Sequence, residues 1–332
     1  MSVFTFFTDW EGPWVTNDFA YEVASHFFSP TFFERLSQYD DYLAYVAKMP
    51  GYNAGDTLRL LAPFLVAAGV TSAKLKELSK PVYVPEADEA MGHLIKRGFE
   101  PVVISTAYIQ FLEVSAAHIG AQTVHGTNFV PEKYPLPKEE RKLLLKAASE
   151  IESLDEIKLD IEKGVLNEES RKSVEWLDEF FWKKLSKMQA GRILDEVTVI
   201  GGRRKREVVE SYNPENPVAI GDSISDFEML EYAKGKGLAV SFNGNEFAVR
   251  HSTLAVISET AFGNAAAVVA YAKEGIAGIN RLIEGDFGVV EEIANRLKGT
   301  EFHWITPENM EEIAEKSKRM RRRIRGEAGK LG

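Results

Sequence analysis

Near its start the chain reads Val3-Phe4-Thr5-Phe6-Phe7-Thr8-Asp9-Trp10-Glu11-Gly12. The apolar run is typical of a buried strand, and Asp9 and Glu11 follow where that strand ends. Two carboxylates at such a point are rarely placed there for packing, and a strand that ends here can splay their side chains. Gly12 permits a tight exit from the strand, and Pro13 fixes the backbone behind it. We therefore interpret Asp9 as a candidate nucleophile and Glu11 as a candidate proton donor beside it.

Three further elements follow in sequence order, each just after an apolar run. They are Ser105-Thr106 after Pro101-Val102-Val103-Ile104, Lys205 after Val197-Thr198-Val199-Ile200, and Asp222 with Asp226 after Val218-Ala219-Ile220-Gly221. The ordered set resembles the four motifs of the haloacid dehalogenase superfamily of hydrolases, over roughly residues 1–13 and 80–260. The sequence of residues 9–14, DWEGPW, also resembles that of a little-characterised archaeal branch. Proteins of this branch are described only as predicted hydrolases or as accessory to energy-converting hydrogenases.

The resemblance implies a role for each motif residue in phosphoryl transfer. Asp9 would attack phosphorus and form an aspartyl-phosphate, and Glu11 would protonate the leaving oxygen and then help to deprotonate water. The Ser105 hydroxyl and the Thr106 backbone amide would bind phosphate oxygens. Lys205 would balance the charge of Asp9 and the phosphoryl group, with neighbouring Arg204 as the main rival for that role.

The resemblance also implies a magnesium site. Mg²⁺ would be held by Asp9, by the backbone carbonyl of Glu11 and by Asp222. Asp226 would bind metal-bound water or anchor Lys205. The superfamily usually has aspartate where this chain has Glu11, whose arm is longer by one methylene group, so the preferred leaving group is expected to shift.

Short apolar runs that alternate with helical patterns predict an α/β fold. We expect core strands over residues 3–8, 101–105, 195–200, 217–221 and 237–241, with helices over 86–98 and 206–212. This pattern indicates a doubly wound parallel sheet with crossover helices and a Rossmann-like core. Ligands of such sheets bind beyond the carboxyl ends of the strands, and all four motifs lie at those ends.

Two helical segments interrupt the predicted sheet. Residues 14–80 are rich in aromatic side chains and are expected to form a helical cap over the site, while residues 132–190 are either a second helical module or an elaboration of the core. We assign residues 1–13 and 81–285 to the core and 286–332 to a helical C-terminal extension.

The extension carries a basic stretch between Lys316 and Arg325. We expect a solvated helix end there, with docking to an acidic partner or to RNA as the alternative. The aromatic cluster of residues 176–182 is expected to pack in a core or an interface.

Composition narrows the function. The 332 residues carry a net charge of −10 and no cysteine. A metal site must therefore use carboxylates, which favours Mg²⁺, and general nucleic-acid binding is not expected.

The chain has no apolar run of about 18 residues, so a membrane span is not expected. Nothing at its start resembles a signal peptide, which predicts a cytoplasmic protein. The oligomeric state stays open.

The sequence thus predicts a Mg²⁺-dependent phosphatase for a small phosphorylated metabolite. Dehalogenation is less favoured. That chemistry needs no metal, whereas Glu11 and the pair Asp222 and Asp226 indicate metal binding and acid–base catalysis. The alternative is an accessory or binding subunit that keeps a phosphatase scaffold, associated with a hydrogenase complex. Resemblance to the archaeal branch, the basic stretch and the departure at Glu11 support this alternative.

Overall fold

A seven-stranded sheet forms the centre of the fold. The computed structural model describes residues 4–161 and 163–326. The strands, in chain order, are β1 (Phe4–Thr8), β2 (Phe99–Tyr108), β3 (Thr123–Thr127), β4 (Leu159–Asp160), β5 (Val165–Leu166), β6 (Val218–Gly221), β7 (Leu238–Phe242), β8 (Leu254–Ile257) and β9 (Glu301–Trp304). Strands β4 and β5 form a separate antiparallel hairpin, and the other seven form the sheet in the order β3-β2-β1-β6-β7-β8-β9.

The sheet is parallel except at one edge. Strand β1 pairs in parallel with β2 on one side and with β6 on the other, and only β9 runs antiparallel, against β8. The chain winds outward from β1 in both directions, so a crevice opens between the carboxyl ends of β1 and β6. Phe6 and Phe7 are fully buried and belong to different hydrophobic clusters, because successive side chains of a strand point to opposite faces. The predicted doubly wound α/β class is confirmed.

Helices cover the sheet and form the insertion that follows β1. They are α1 (Phe19–Phe27), α2 (Pro30–Asp41), α3 (Thr57–Ala67), α4 (Ser72–Leu78), α5 (Ala87–Lys96), α6 (Ile109–His118), α7 (Lys138–Glu152), α8 (Arg171–Asp178), α9 (Gly191–Glu196), α10 (Arg203–Ser211), α11 (Phe227–Lys236), α12 (Glu246–His251), α13 (Phe262–Glu274), α14 (Ile276–Ile283) and α15 (Met310–Arg325). Shorter π-helical turns extend α2 over Tyr42–Val46 and α8 over Glu179–Lys184. The helices predicted over 86–98 and 206–212 correspond to α5 and α10.

One predicted strand is wrong. Residues 195–200 contain the end of helix α9 and then an unpaired extended segment, and they add no strand to the sheet. The backbone polar groups of this segment bond elsewhere. The Ile200 amide donates to the Thr127 hydroxyl at 3.3 Å, and the Val199 carbonyl accepts from Arg204 at 3.2 Å. Because side chains satisfy these groups, the apolar run needs no neighbouring strand.

The two helical insertions pack against each other. The ring of Phe64 in α3 lies 5.8 Å from that of Phe180 and 6.1 Å from that of Phe181. The Tyr39 hydroxyl in α2 donates to Asp178 at 2.5 Å and accepts from the Trp182 indole at 2.8 Å. Residues 132–190 therefore pack against the helices that follow β1, and Phe180 and Phe181 are buried at that contact. The exact domain boundaries stay a prediction.

The C-terminal helix corrects a further expectation. Helix α15 packs against α12 and β8, and it buries Ile313, Ser317 and Arg321. The basic stretch is therefore not simply a solvated helix end. Residue 3 of the first predicted strand and residues 327–332 of the predicted extension lie outside the described residues.

Among the described residues, no single helix is long and apolar enough to cross a membrane. Helices α3 and α4 meet the length and composition criteria only as a pair, bent by 113° at their junction.

Candidate active site

The first and fourth motifs meet between β1 and β6. The amide of Asp9 donates to the carbonyl of Ile220 in β6 at 2.8 Å, which continues the pairing of the two strands by one residue. The fourth motif begins two residues later, at Asp222. One carboxylate oxygen from each of Asp9, Asp222 and Asp226 can be chosen so that all three lie within 4.8 Å of one another. All three residues are buried.

The loop after β1 is shaped for close approach to Asp222. Gly12 has a φ of +113°, a conformation that L residues with side chains rarely adopt. A Cβ atom at this position would lie 2.0 Å from Asp222 Oδ2. The loop is anchored by two fully buried indoles, since Trp10 donates to the Ser115 hydroxyl and Trp14 to the Thr8 hydroxyl, each at 2.8 Å.

Lys205 places its ammonium group among the carboxylates. Its Nζ lies 3.0 Å from Asp9 Oδ1 and 2.6 Å from Asp226 Oδ1, and its side chain is fully buried. Arg204 does not take this position. Its guanidinium lies 3.4 Å from Asp56 in the cap, so the structure brings Lys205, and not Arg204, to Asp9.

Asp226 serves as an anchor for its neighbours. Its Oδ2 accepts hydrogen bonds from the amides of Asp222 and Ser223, both at 3.0 Å, while Oδ1 accepts from Lys205. This geometry corresponds to the second of the two roles expected for Asp226, the anchoring of Lys205.

The electrostatics of the site show an excess of buried negative charge. Burial raises the pKa of Asp9 to about 7; the Asp226 and Asp222 carboxylates add to this rise, and Lys205 opposes it. Burial and the neighbouring Asp18 hold the pKa of Glu11 well above its usual range. Burial alone would lower the pKa of Lys205, but the Asp226 and Asp9 carboxylates outweigh burial and raise it.

The three carboxylates suit a divalent cation. Asp222 Oδ1 is buried and has no hydrogen-bond partner among the described residues, although a buried polar atom is normally paired. Clustered carboxylate oxygens are the ligands that Mg²⁺ prefers, and an added cation would relieve the excess negative charge. The residues present therefore fit the expected metal: Asp9 and Asp222 would hold it, and Asp226 lies beside them and anchors Lys205.

The second motif consists of a buried residue, Ser105, and a half-buried residue, Thr106. The Ser105 hydroxyl is fully buried and accepts from the amide of Ala107 at 3.2 Å. Thr106 lines the cavity at the site, and its carbonyl accepts from the Thr127 hydroxyl at 2.6 Å. Thr106 is therefore better placed than Ser105 to meet a ligand.

A cavity of about 120 Å³ lies between the core and the cap. The core side includes Asp9, Glu11, Thr106 and residues 222–225; the cap side includes Asp18, Ala20, Phe33, Ser37, Asp40, Asp41, Gly55, Thr57 and Leu58. Glu11 Oε1 accepts from the amide of Phe19 at 2.6 Å, which links the candidate proton donor to the first cap helix. Among the described residues that line the cavity, Phe33 is the one aromatic residue, so these residues do not fill the site with aromatic rings.

Sequence reasoning missed two residues of the site. Arg321 and Arg325 of α15 line the cavity, and both contact the Asp222 carboxylate. The signal that was available is their spacing, because residues four apart share one face of a helix. This spacing did not stand out, because several neighbouring residues of the helix are also basic.

The comparisons with known proteins place the chain in a family. The gene product AF1437 from Archaeoglobus fulgidus is 36% identical to it, with a TM-score of 0.86, and the match covers 100% of this chain and 99% of that one. This chain belongs to the AF1437 family. The match does not test the archaeal branch suggested by the DWEGPW wording, although the relative is archaeal. No protein-family model matches the chain, and neither does any curated protein.

Two more distant structures match the chain in part. A HAD family hydrolase, t0658 from Salmonella enterica serovar Typhi, is 15% identical with a TM-score of 0.45, and the match covers 73% of this chain and 63% of that one. A phosphoserine phosphatase with a phospho-aspartyl intermediate analogue is also 15% identical with a TM-score of 0.45, over 76% of this chain and 92% of that one. Similarity this distant does not show that the AF1437 family has the activity of either protein.

Proposed function

We propose that this chain is a Mg²⁺-dependent phosphatase of the haloacid dehalogenase type, acting on a small phosphorylated metabolite. The observation that carries the proposal is the position of Lys205. Its ammonium group lies between Asp9 and Asp226, whose carboxylates cluster with that of Asp222, at the carboxyl ends of β1 and β6. Lysine and aspartate are rarely buried this completely unless they are paired.

Asp9 is the nucleophile in this proposal. One of its oxygens attacks phosphorus, the bond from phosphorus to the ester oxygen breaks, and an aspartyl-phosphate forms. A divalent cation held by Asp9 and Asp222 would supply positive charge that reduces the repulsion between Asp9 and the phosphate group. Lys205 and the Trp10 amide, which donates to Asp9 Oδ1 at 2.7 Å, hold the carboxylate in place.

Glu11 moves the protons. Burial and the neighbouring Asp18 raise the pKa of Glu11, which favours the protonated carboxyl group that a general acid requires. It gives this proton to the leaving oxygen. As a carboxylate it then takes a proton from the water that hydrolyses the aspartyl-phosphate. Its hydrogen bond to the amide of Phe19 orients the longer glutamate side chain.

Phosphate binding falls to Thr106 and Lys205. We assign to Thr106 the contact that the sequence suggested for Ser105, because Thr106 lines the cavity and the Ser105 hydroxyl is engaged inside the protein. The cavity of about 120 Å³ favours a small substrate that is enclosed by the cap. We expect the enzyme to be cytoplasmic, with neither nucleic acid nor membrane as a partner.

Hydrolysis of p-nitrophenyl phosphate tests the proposal. The wild-type protein should release p-nitrophenol with Mg²⁺, should stop in EDTA, and should be inactive as Asp9→Asn. Turnover that survives EDTA or Asp9→Asn would contradict the proposal. No turnover of this or other small phosphate esters, in a protein that still binds Mg²⁺, would favour the accessory-subunit alternative.

A further inference from the structure

Helix α15 sends two arginines to one oxygen of Asp222. Arg321 Nη1 donates to Asp222 Oδ2 and, at 3.0 Å, to the backbone carbonyl of the same residue. Arg325 Nη1 donates to the same Oδ2 at 3.0 Å. The Arg321 side chain is 3% exposed and that of Asp222 is 2% exposed, so water screens this contact little.

Arg325 also binds the segment that leads from the first motif into the cap. Its Nη2 donates to the carbonyl of Asn17 at 2.8 Å, and its Nε donates to the carbonyl of Thr16 at 3.3 Å. The next residue, Asp18, caps the first cap helix through its side chain. One face of α15 therefore contacts both Asp222 of the fourth motif and residues 16–17, which join the first motif to the cap.

The two carboxylate oxygens of Asp222 differ in their surroundings. Oδ2 accepts from both arginines and lies close to Gly12, whereas Oδ1 has no hydrogen-bond partner among the described residues. Oδ1 therefore has capacity left for a cation while Oδ2 keeps its contacts with both guanidinium groups. Side chains that hold a metal-binding carboxylate by its other oxygen fix its orientation, and the loss of such a partner typically weakens metal binding.

We propose that Arg321 and Arg325 are positioning residues that hold Asp222 by Oδ2 and leave Oδ1 for the divalent cation. Helix α15 is then a part of the active site, although it lies about a hundred residues beyond the fourth motif. The inference rests on the proposed function, because it concerns the cation of that site. The positive charges of the arginines oppose a bound cation, but the orientation of the carboxylate outweighs this repulsion.

Calorimetric titration with Mg²⁺ tests the proposal without any substrate. We compare the wild-type protein with Arg321→Met and Arg325→Met, which keep most of the aliphatic side chain. Arg322→Met is the matched control, since Arg322 is exposed on the same helix. We expect Kd for Mg²⁺ to rise roughly 10- to 100-fold in Arg321→Met, to rise less in Arg325→Met, and to stay unchanged in the control.

Two further measurements keep the outcomes distinct. Circular dichroism in EDTA reports whether each variant folds; if Arg321→Met does not, Arg325→Met and Arg321→Lys carry the test, and Arg321→Lys should bind Mg²⁺ with intermediate affinity. Variants that fold and bind Mg²⁺ as tightly as the wild type, or more tightly, would overturn the positioning role alone. A wild-type protein that does not bind Mg²⁺ would overturn the proposed function and this inference with it.

Discussion

The Nζ of Lys205 lies 3.0 Å from Oδ1 of Asp9, and both side chains are almost completely buried. A buried ion pair is costly to break, because the remaining charge has no water to solvate it. The same nitrogen also lies 2.6 Å from Asp226 Oδ1, so Lys205 pairs with two carboxylates. The pair therefore links the stability of the core to the charge of the candidate nucleophile.

Replacement of Lys205 by methionine should damage both stability and activity. Two carboxylates would lose their buried cation, so we expect the free energy of unfolding in urea to fall by about 3–5 kcal/mol. Hydrolysis of p-nitrophenyl phosphate should fall by at least roughly 10²-fold. Arg206→Met is the control, because Arg206 lies on the same helix and pairs with Glu210 at the surface. Equal effects of the two substitutions would argue against a special role for Lys205.

Replacement of Gly12 by alanine should disturb Asp222 specifically. The added methyl group would lie 2.2 Å from Asp222 Cγ and 2.0 Å from Oδ2, so the carboxylate must move. We expect weaker Mg²⁺ binding in calorimetry and a loss of about 1–3 kcal/mol in the free energy of unfolding. Gly235→Ala is the matched control, since a methyl group added there would meet no atom within 4 Å beyond its own helix. Unchanged Mg²⁺ affinity in Gly12→Ala would contradict the close approach.

Replacement of Asp41 by asparagine should change how stability depends on pH. Burial raises the pKa of Asp41 to about 7 from the usual 3.8, so the folded chain holds this proton more tightly than the unfolded chain. The contribution of this group to the free energy of unfolding is therefore lost as pH rises from about 4 to about 7. In EDTA, Asp41→Asn should be more stable than the wild type by roughly 4 kcal/mol near pH 8, and the difference should vanish near pH 4.

Thermal melts across this pH range measure the effect. Asp155→Asn provides the control, because Asp155 is exposed in the same helical cap. A stability difference for Asp41→Asn that does not change with pH would show that burial of the charge is not its cause.

Replacement of Tyr39 by phenylalanine tests the joint between the two insertions. The substitution removes the hydroxyl that donates to Asp178 and accepts from Trp182, which leaves both partners without this bond. We expect the free energy of unfolding to fall by about 1–2 kcal/mol. Tyr42→Phe serves as the control, since the Tyr42 ring lies 6.1 Å from that of Tyr39 and is partly exposed. A loss no larger than in the control would mean that the joint depends on ring packing alone.

The sequence was sufficient for the parts of the fold that depend on local patterns. Apolar runs next to acidic or hydroxylated residues identified β1, β2, β6 and β7, and the parallel sheet followed from their alternation with helices. The apolar run at residues 197–200 led to the wrong strand prediction, because hydrophobicity indicates burial but not hydrogen bonding to a neighbouring strand. Strands β3, β8 and β9 were not predicted; polar residues such as Thr123 and His303 interrupt the apolar pattern of β3 and β9.

The candidate site divides in the same way. Asp9, Asp222 and Asp226 could be predicted to meet because each follows a strand's carboxyl end, where the topology brings distant segments together. Lys205 was placed with them by the resemblance to the family motifs, since the segment before it is not a strand. Arg321 could not, because its place depends on how a helix near the end of the chain packs against α12. The choice between Lys205 and Arg204 also needed the structure, because adjacent helical residues face different directions.

The most direct test of the proposed chemistry is the detection of a phosphoryl group on Asp9. The Glu11→Gln variant should form the aspartyl-phosphate from p-nitrophenyl phosphate, whose leaving group needs little protonation, but should hydrolyse it slowly. After an acid quench with Mg²⁺ present, we predict that mass spectrometry finds one added phosphoryl group on the peptide that contains Asp9, and none in Asp9→Asn. Turnover without this adduct, or an adduct on another residue, would contradict the assignment of Asp9 as the nucleophile.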